Sequence, residues 1–139
     1  MVERVALTGI FVLTLIGARA LLGWWTNRYR RQVAIDLMPS DPPLPRWLIL
    51  AFSTPDCALC EIRQNPALEE LTRLHPAQVA VRHVDATAAP ELARRFGIFT
   101  VPSTVILDWN GRVLAINHTV TGARKLALQL SGSSTDRQR

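Results

Sequence analysis

The chain has 139 residues, 48% of them hydrophobic and nine of them proline, enough for one ordinary domain plus an extra segment and too apolar for general disorder. The net charge of +5 comes mainly from scattered arginines, with one tight group at Arg28, Arg30 and Arg31. No basic stripe is interleaved with aromatics, so nucleic acid is set aside as a partner.

Residues 5–25 read VALTGIFVLTLIGARALLGWW, and Arg19 is their one charged residue. A helix of that length spans roughly 30 Å, the hydrocarbon thickness of a bilayer. Trp24 and Trp25 stand where indole rings favour the membrane interface, and the arginine group follows at headgroup level. Arg19 lies near enough to that end for its head to snorkel outward. Residues 1–27 are therefore expected to form a single-pass transmembrane anchor that meets the bilayer through residues 5–25. The rival is a cleaved signal peptide with Val5–Gly17 as its apolar core and Ala18-Arg19-Ala20 as the cleavage site. Against it, MVER carries almost no net side-chain charge, and the apolar run continues past the cut. A buried core helix is the third option, and no polar face supports it.

Residues 28–45 form a basic and proline-rich linker. From Gln32 to Pro45 it reads QVAIDLMPSDPPLP, in which four of fourteen residues are proline, so a stiff, extended spacer that lifts a domain off the membrane is expected. The domain covers residues 46–131, and residues 132–139 form a polar, frayed tail.

Within the domain, Trp47–Phe52 is a continuous apolar run, expected as a central strand buried on both faces. Ala58–Leu74 is expected as a helix, with Leu59, Ile62, Leu68, Leu71 and Leu74 on one face and a kink at Pro66. Val79–Val84 alternates as a second strand that ends near Asp85. Pro90–Phe96 is a short helix stopped by Gly97, with Phe96 and Phe99 as core candidates and Phe99 nearer the surface. Thr104–Leu107 and Val113–Ile116 read as a hairpin turning at Asn110-Gly111. Ala123–Leu130 closes the domain as an amphipathic helix. The order β-α-β-α-β-β-α predicts an α/β fold: a mixed four-stranded sheet with helices on both faces.

The chain has two cysteines, Cys57 and Cys60, placed where the first strand meets its helix. A helix N-terminus offers unpaired N–H groups and a partial positive charge, which favour a thiolate. Cys57 should thus have a lowered pKa and act as the exposed nucleophile, with Cys60 turned inward as the resolving thiol. A structural staple is the bland alternative, but so short a ring constrains little of the unfolded chain. A metal site needs four ligands, and His75, His83 and His118 show no paired spacing, so no metal is expected.

The stretch LAFSTPDCALC, the helix with Pro66, VDAT after the second strand, and LARRFGIFTVPSTVILDWNGRV together resemble the thioredoxin-like superfamily, from about Trp47 to Leu130. With the anchor, the chain looks like a membrane-anchored bacterial thioredoxin-domain protein. The resemblance implies that Pro102 is a cis-proline facing the dithiol. Val101 before it would offer backbone groups to an extended substrate strand. Three departures stand out. Asp56 replaces the usual tryptophan, Ala58-Leu59 replaces Gly-Pro between the cysteines, and Ala51 occupies the place of a buried proton-transfer acid. Asp56 and Glu61 flank the pair, and their charge opposes thiolate formation.

The function expected is a membrane-tethered thiol-disulfide oxidoreductase that exchanges disulfides with protein substrates near the membrane. It needs no dissociable cofactor, only a redox partner protein. A non-catalytic binding or assembly module, or a redox sensor, is the alternative. The arginine count after the span favours a cytoplasmic domain, whereas anchored bacterial relatives commonly face outward.

Overall fold

The computed structural model describes residues 2–37 and 44–135. Helix α1 runs unbroken over Val2–Asp36. Its stretch Ala6–Arg28 is long and apolar enough to cross a membrane, and every side chain in that stretch is exposed. A core helix would bury such a surface, so the third option is excluded. The Arg28 guanidinium lies over the Trp24 ring, 5.4 Å from its centroid.

The spacer differs from expectation. Gln32–Asp36 belongs to α1, because the chain meets no proline before Pro39 and a helix can propagate up to that point. Leu37 then packs against the domain's core, and its carbonyl accepts a hydrogen bond of 3.1 Å from Arg82 Nη1. The chain that leaves α1 thus meets the domain at Leu37. The proline cluster at Pro39, Pro42 and Pro43 lies outside the described residues.

Four strands, β1 (Trp47–Ser53), β2 (Val79–Asp85), β3 (Ser103–Asp108) and β4 (Val113–Asn117), form one sheet in the order β2-β1-β3-β4. β1 is parallel to β2 and antiparallel to β3, and β3 is antiparallel to β4. The expected mixed sheet is thus present. Side chains alternate across β1, so its apolar run feeds two cores. Leu48, Leu50 and Phe52 face one side with Ala93, Phe96 and Ile98. Trp47, Ile49 and Ala51 face the other with Leu68, Leu71, Leu126 and Leu130. The first core is covered by α3 (Pro90–Arg95) and the second by α2 (Asn65–Leu74) and α4 (Ala123–Thr135).

Local chemistry sets the ends of these elements. Gly97 has φ +70°, and the bonds Ile98 N–H to Ala93 O and Gly97 N–H to Arg94 O close α3 as a Schellman motif. In the β3–β4 turn, Gly111 has φ +72° and Asp108 Oδ1 accepts from the N–H groups of Asn110 and Arg112. α4 continues to Thr135, past the expected end of the domain at residue 131, so the first part of the 132–139 tail is helical. Each further residue adds a backbone bond to a helix already anchored by buried Leu126 and Leu130. Residues 136–139 lie outside the described residues.

Asp85 closes β2 with a side-chain cap: Oδ1 accepts from the Thr87 hydroxyl (2.6 Å), the Thr87 N–H (2.8 Å) and the Ala88 N–H (3.3 Å). The Thr87 bonds hold its carboxyl below the ordinary value of 3.8. A depressed folded-state pKa stabilises the fold above the unfolded value, and that contribution disappears as pH falls through the folded value. Asp85→Asn is therefore expected to lower the melting temperature at pH 7, with the gap to wild type closing as pH falls below the ordinary carboxyl value of 3.8 and through the lower folded one. Thermal unfolding across that range measures it, and a pH-independent gap would contradict this role.

Candidate active site

β1 ends at Ser53 and the chain turns through Thr54-Pro55-Asp56 into Cys57. The Cys57 N–H bonds back to Thr54 O at 3.1 Å, and Cys57 O accepts from the N–H groups of Cys60 (3.1 Å) and Glu61 (3.4 Å), which starts the helix. Cys57 thus stands at the N-cap. Its Sγ accepts a hydrogen bond of 3.2 Å from the Cys60 N–H, in the place where a capping oxygen commonly sits. Cys57 and Cys60 form a disulfide with S–S 2.04 Å and Cα–Cα 5.3 Å. Cys57 is partly exposed, while Cys60 is only 3% exposed.

The helix below the pair is not regular. Cys60–Gln64 forms a π-helical turn, closed by the Asn65 N–H bonding to Cys60 O. The cause is local: Pro66 has no N–H, and its ring would collide with the carbonyl four residues earlier. The wider turn relieves that collision. It also rotates the helix start, which corrects the expected face. Leu68 and Leu71 are buried, but Leu59 (56%), Ile62 (69%) and Leu74 (58%) are exposed. Cys60 and Gln64 take the inward positions instead.

Gln64 went unrecognised in the sequence. Its Nε2 donates to Thr121 O at 3.1 Å and its Oε1 accepts from the Thr121 N–H at 2.9 Å. Both residues are buried, so this clamp ties the dithiol helix to the loop before α4. Its partner is 57 residues away, and no local pattern could have shown it. Gln64→Leu leaves the Thr121 N–H and carbonyl unpaired in the interior, at a cost of roughly 2–3 kcal/mol. Urea unfolding should register that loss.

The second loop comes from the neighbouring strand. Phe52 pairs with Ser103, so the ends leading to Cys57 and to Pro102 leave the same edge of the sheet side by side. The Val101–Pro102 peptide is cis, Pro102 is buried and Val101 half-buried. Ser103 Oγ donates to Thr100 O at 2.6 Å and Thr100 Oγ1 to His118 O at 3.2 Å, which brace the loop on both sides. Thr54 and Val101 share a cavity of about 260 Å³ that joins the two loops. Phe99 also lines it and is 83% exposed, which corrects its expected place in the core; Phe96 is buried as expected. Leu59, Ile62 and Phe99 thus expose large apolar side chains on the loops and helix that carry the pair.

Ala51 is buried among Leu68, Leu71 and Leu126, so the interior below the pair is apolar at this position. The cavity that reaches Cys60, about 240 Å³, is lined by two carboxylate residues, Glu61 and Asp85.

A family model described as Thioredoxin matches residues 45–131 of the chain. Among solved structures, one titled as a malarial protein superimposes with a TM-score of 0.57 at 21% identity, covering 62% of this chain and 94% of that one. Thioredoxin-2, a component of the malaria parasite's protein secretion machinery, gives 0.57 at 21% identity, covering 62% of this chain and 82% of that one. Mitochondrial thioredoxin 3 of Saccharomyces cerevisiae, in its oxidised form, gives 0.49 at 22%, covering 63% and 76%. No curated protein matches. At these identities the likeness is one of fold.

Proposed function

The chain belongs to the thioredoxin family, and from that premise we propose that it is a membrane-tethered thiol-disulfide oxidoreductase acting on protein substrates, of the membrane-anchored bacterial type. The observation that carries the reading is the Cys57–Cys60 disulfide at a helix N-terminus, one sulfur half-open to solvent and the other enclosed.

In the reducing direction the Cys57 thiolate attacks one sulfur of a substrate disulfide. A Cys57–substrate bond forms and the other substrate sulfur leaves as a thiolate. The Cys60 thiolate then attacks Cys57 Sγ, which restores the internal disulfide and releases the second substrate thiol. Two electrons pass to the substrate, and a partner dithiol protein must supply them for the next cycle. The reverse sequence oxidises a substrate dithiol.

Each residue has a part in this. The Cys60 N–H, already aimed at Cys57 Sγ, becomes a charge-assisted donor once that sulfur is a thiolate. Enclosure leaves Cys60 reachable chiefly through Cys57, which suits a resolving thiol. The cavity lined by Glu61 and Asp85 gives its proton a path to water in the absence of an acid at position 51. Val101 and cis-Pro102 offer backbone beside the pair to an extended substrate segment. The exposed apolar groups of Leu59, Ile62 and Phe99 favour apolar residues next to the substrate cysteine.

The test is reduction of an insulin-type disulfide by the full-length protein in detergent or nanodiscs, with dithiothreitol as electron source. Acceleration over dithiothreitol alone supports the reading, and none would refute it. Membrane-impermeant maleimide applied to intact and to lysed cells after reduction reads the side on which Cys57 lies. Labelling before lysis means an outward domain, and labelling only after lysis means an inward one.

A further inference from the structure

We infer that the end of the domain opposite the dithiol, the β3–β4 turn with Trp109, Arg112 and Arg46, rests on the phospholipid headgroups, so that the Cys57–Cys60 pair points away from the bilayer. The inference rests on the reading of Ala6–Arg28 as a membrane span and adds an orientation and a lipid-facing surface to it.

Two points tie α1 to the domain. Near the end of the span, Asn27 shares a cavity of about 330 Å³ with Asp108, Asn110 and Arg112 of the β3–β4 turn. Ten residues later, Leu37 receives the hydrogen bond from Arg82 on β2 and packs on the core. The helix advances about 15 Å between these points.

The sheet allows a check on that path. Trp47 pairs with both Val79 and Asp108, so these three residues mark one row across the lower end of the sheet. Arg82 lies three residues beyond Val79 toward the dithiol edge, about 10 Å along the strand. β2 is two places from β3 in the sheet, about another 10 Å across. The diagonal is about 14 Å, which matches the helix advance. As α1 leaves the membrane, it therefore climbs the domain from the hairpin end toward the dithiol end. The turn sits at the level where the span ends. The Phe52–Ser103 row, from which both active-site loops leave, lies five residues, about 17 Å, farther along the strands.

The side chains at the hairpin end suit a headgroup layer. Trp109 is 54% exposed, beside Asn110, at the level of the interfacial Trp24 and Trp25. Arg46 and Arg112 line a cavity of about 470 Å³ that opens at this end, and Arg46 stacks on the Trp47 ring at 4.6 Å. Asp108 also lines it, but its Oδ1 is committed to the turn's N–H groups. Together with Arg28, these guanidiniums present cations to lipid phosphates. A substrate disulfide accordingly meets the pair from the aqueous side, not from within the bilayer.

The test uses full-length protein in nanodiscs of mixed phosphatidylcholine and phosphatidylglycerol, with Cys57 and Cys60 changed to serine. Single cysteines are introduced in separate variants, Trp109→Cys, Arg112→Cys, Phe99→Cys and Leu13→Cys, and labelled with a small fluorophore. Quenching by headgroup-nitroxide lipid should be at least about threefold stronger at 109 and 112 than at 99, with 13 quenched by acyl-chain nitroxide. Arg46→Glu combined with Arg112→Glu should weaken the quenching at 109. Equal quenching at 99 and 109, or stronger quenching at 99, overturns the orientation while leaving the anchor intact. No acyl-chain quenching at 13 removes the anchor and the orientation together. Neither result bears on disulfide turnover, which is measured separately.

Discussion

Cys57→Ser is expected to abolish disulfide reduction, lowering turnover by at least about a thousandfold to the dithiothreitol background. A serine hydroxyl at the N-cap accepts the Cys60 N–H as well as sulfur does, so the fold and its melting temperature should hardly change from those of the reduced protein, in which the Cys57–Cys60 bond is also open. What is lost is the nucleophile, since a hydroxyl is almost never ionised at neutral pH and cannot form a mixed disulfide. Cys60→Ser should behave differently. The first attack survives and the second does not, so a covalent complex with the substrate accumulates. Non-reducing electrophoresis and intact-mass measurement distinguish the two variants. If Cys57→Ser kept wild-type turnover, or if Cys60→Ser trapped nothing while Cys57→Ser did, the assigned roles would be wrong.

The largest effect on stability is expected at Phe96→Ala. Phe96 is 1% exposed and meets the Phe52 ring at a centroid distance of 6.3 Å in the core beneath α3. Removing so large a buried ring costs roughly 3–5 kcal/mol through lost transfer energy and the cavity left behind. A domain of this size has about 5–10 kcal/mol in total by the usual per-residue figure, so about half its stability would go. The melting temperature should fall by roughly 15 °C or more. Phe96→Leu, which refills most of the space, should cost about 1–2 kcal/mol. The alanine variant also loosens the residue just before Gly97 and the loop to Pro102, so catalytic loss should accompany it below the new transition. A fall of under about 1 kcal/mol in urea unfolding would mean that the site collapses around the gap.

Features written in neighbouring residues were legible from the chain alone. The apolar run Trp47–Phe52 had to be a strand buried on both faces, because each face of the sheet needs a core and alternate side chains serve both. Asn110-Gly111 marked the hairpin and Gly97 the end of α3, since each needs a conformation that glycine adopts without strain. Twenty-odd apolar residues before Arg28 marked a candidate span by length alone. Cys57-x-x-Cys60 at the strand–helix junction marked a candidate dithiol, because spacing and helix polarity are local properties.

What the chain could not disclose depends on residues distant in sequence or on departures from ideal geometry. The π turn moved Leu59 and Ile62 outward and Gln64 inward, since one widened turn rotates every side chain before it, and a count at 3.6 residues per turn assumes none. Gln64 acquires its meaning from Thr121, and Leu37 from Arg82, partners that only folding brings near. The helix through Asp36 likewise overrode the composition of the linker, because Pro39 stops a helix close to where it stands and not seven residues earlier at Gln32. Local spacing and polarity therefore determined the strands, the turns and the reactive pair. Long-range packing decided which side chains surround the pair and where the end of α1 meets the domain.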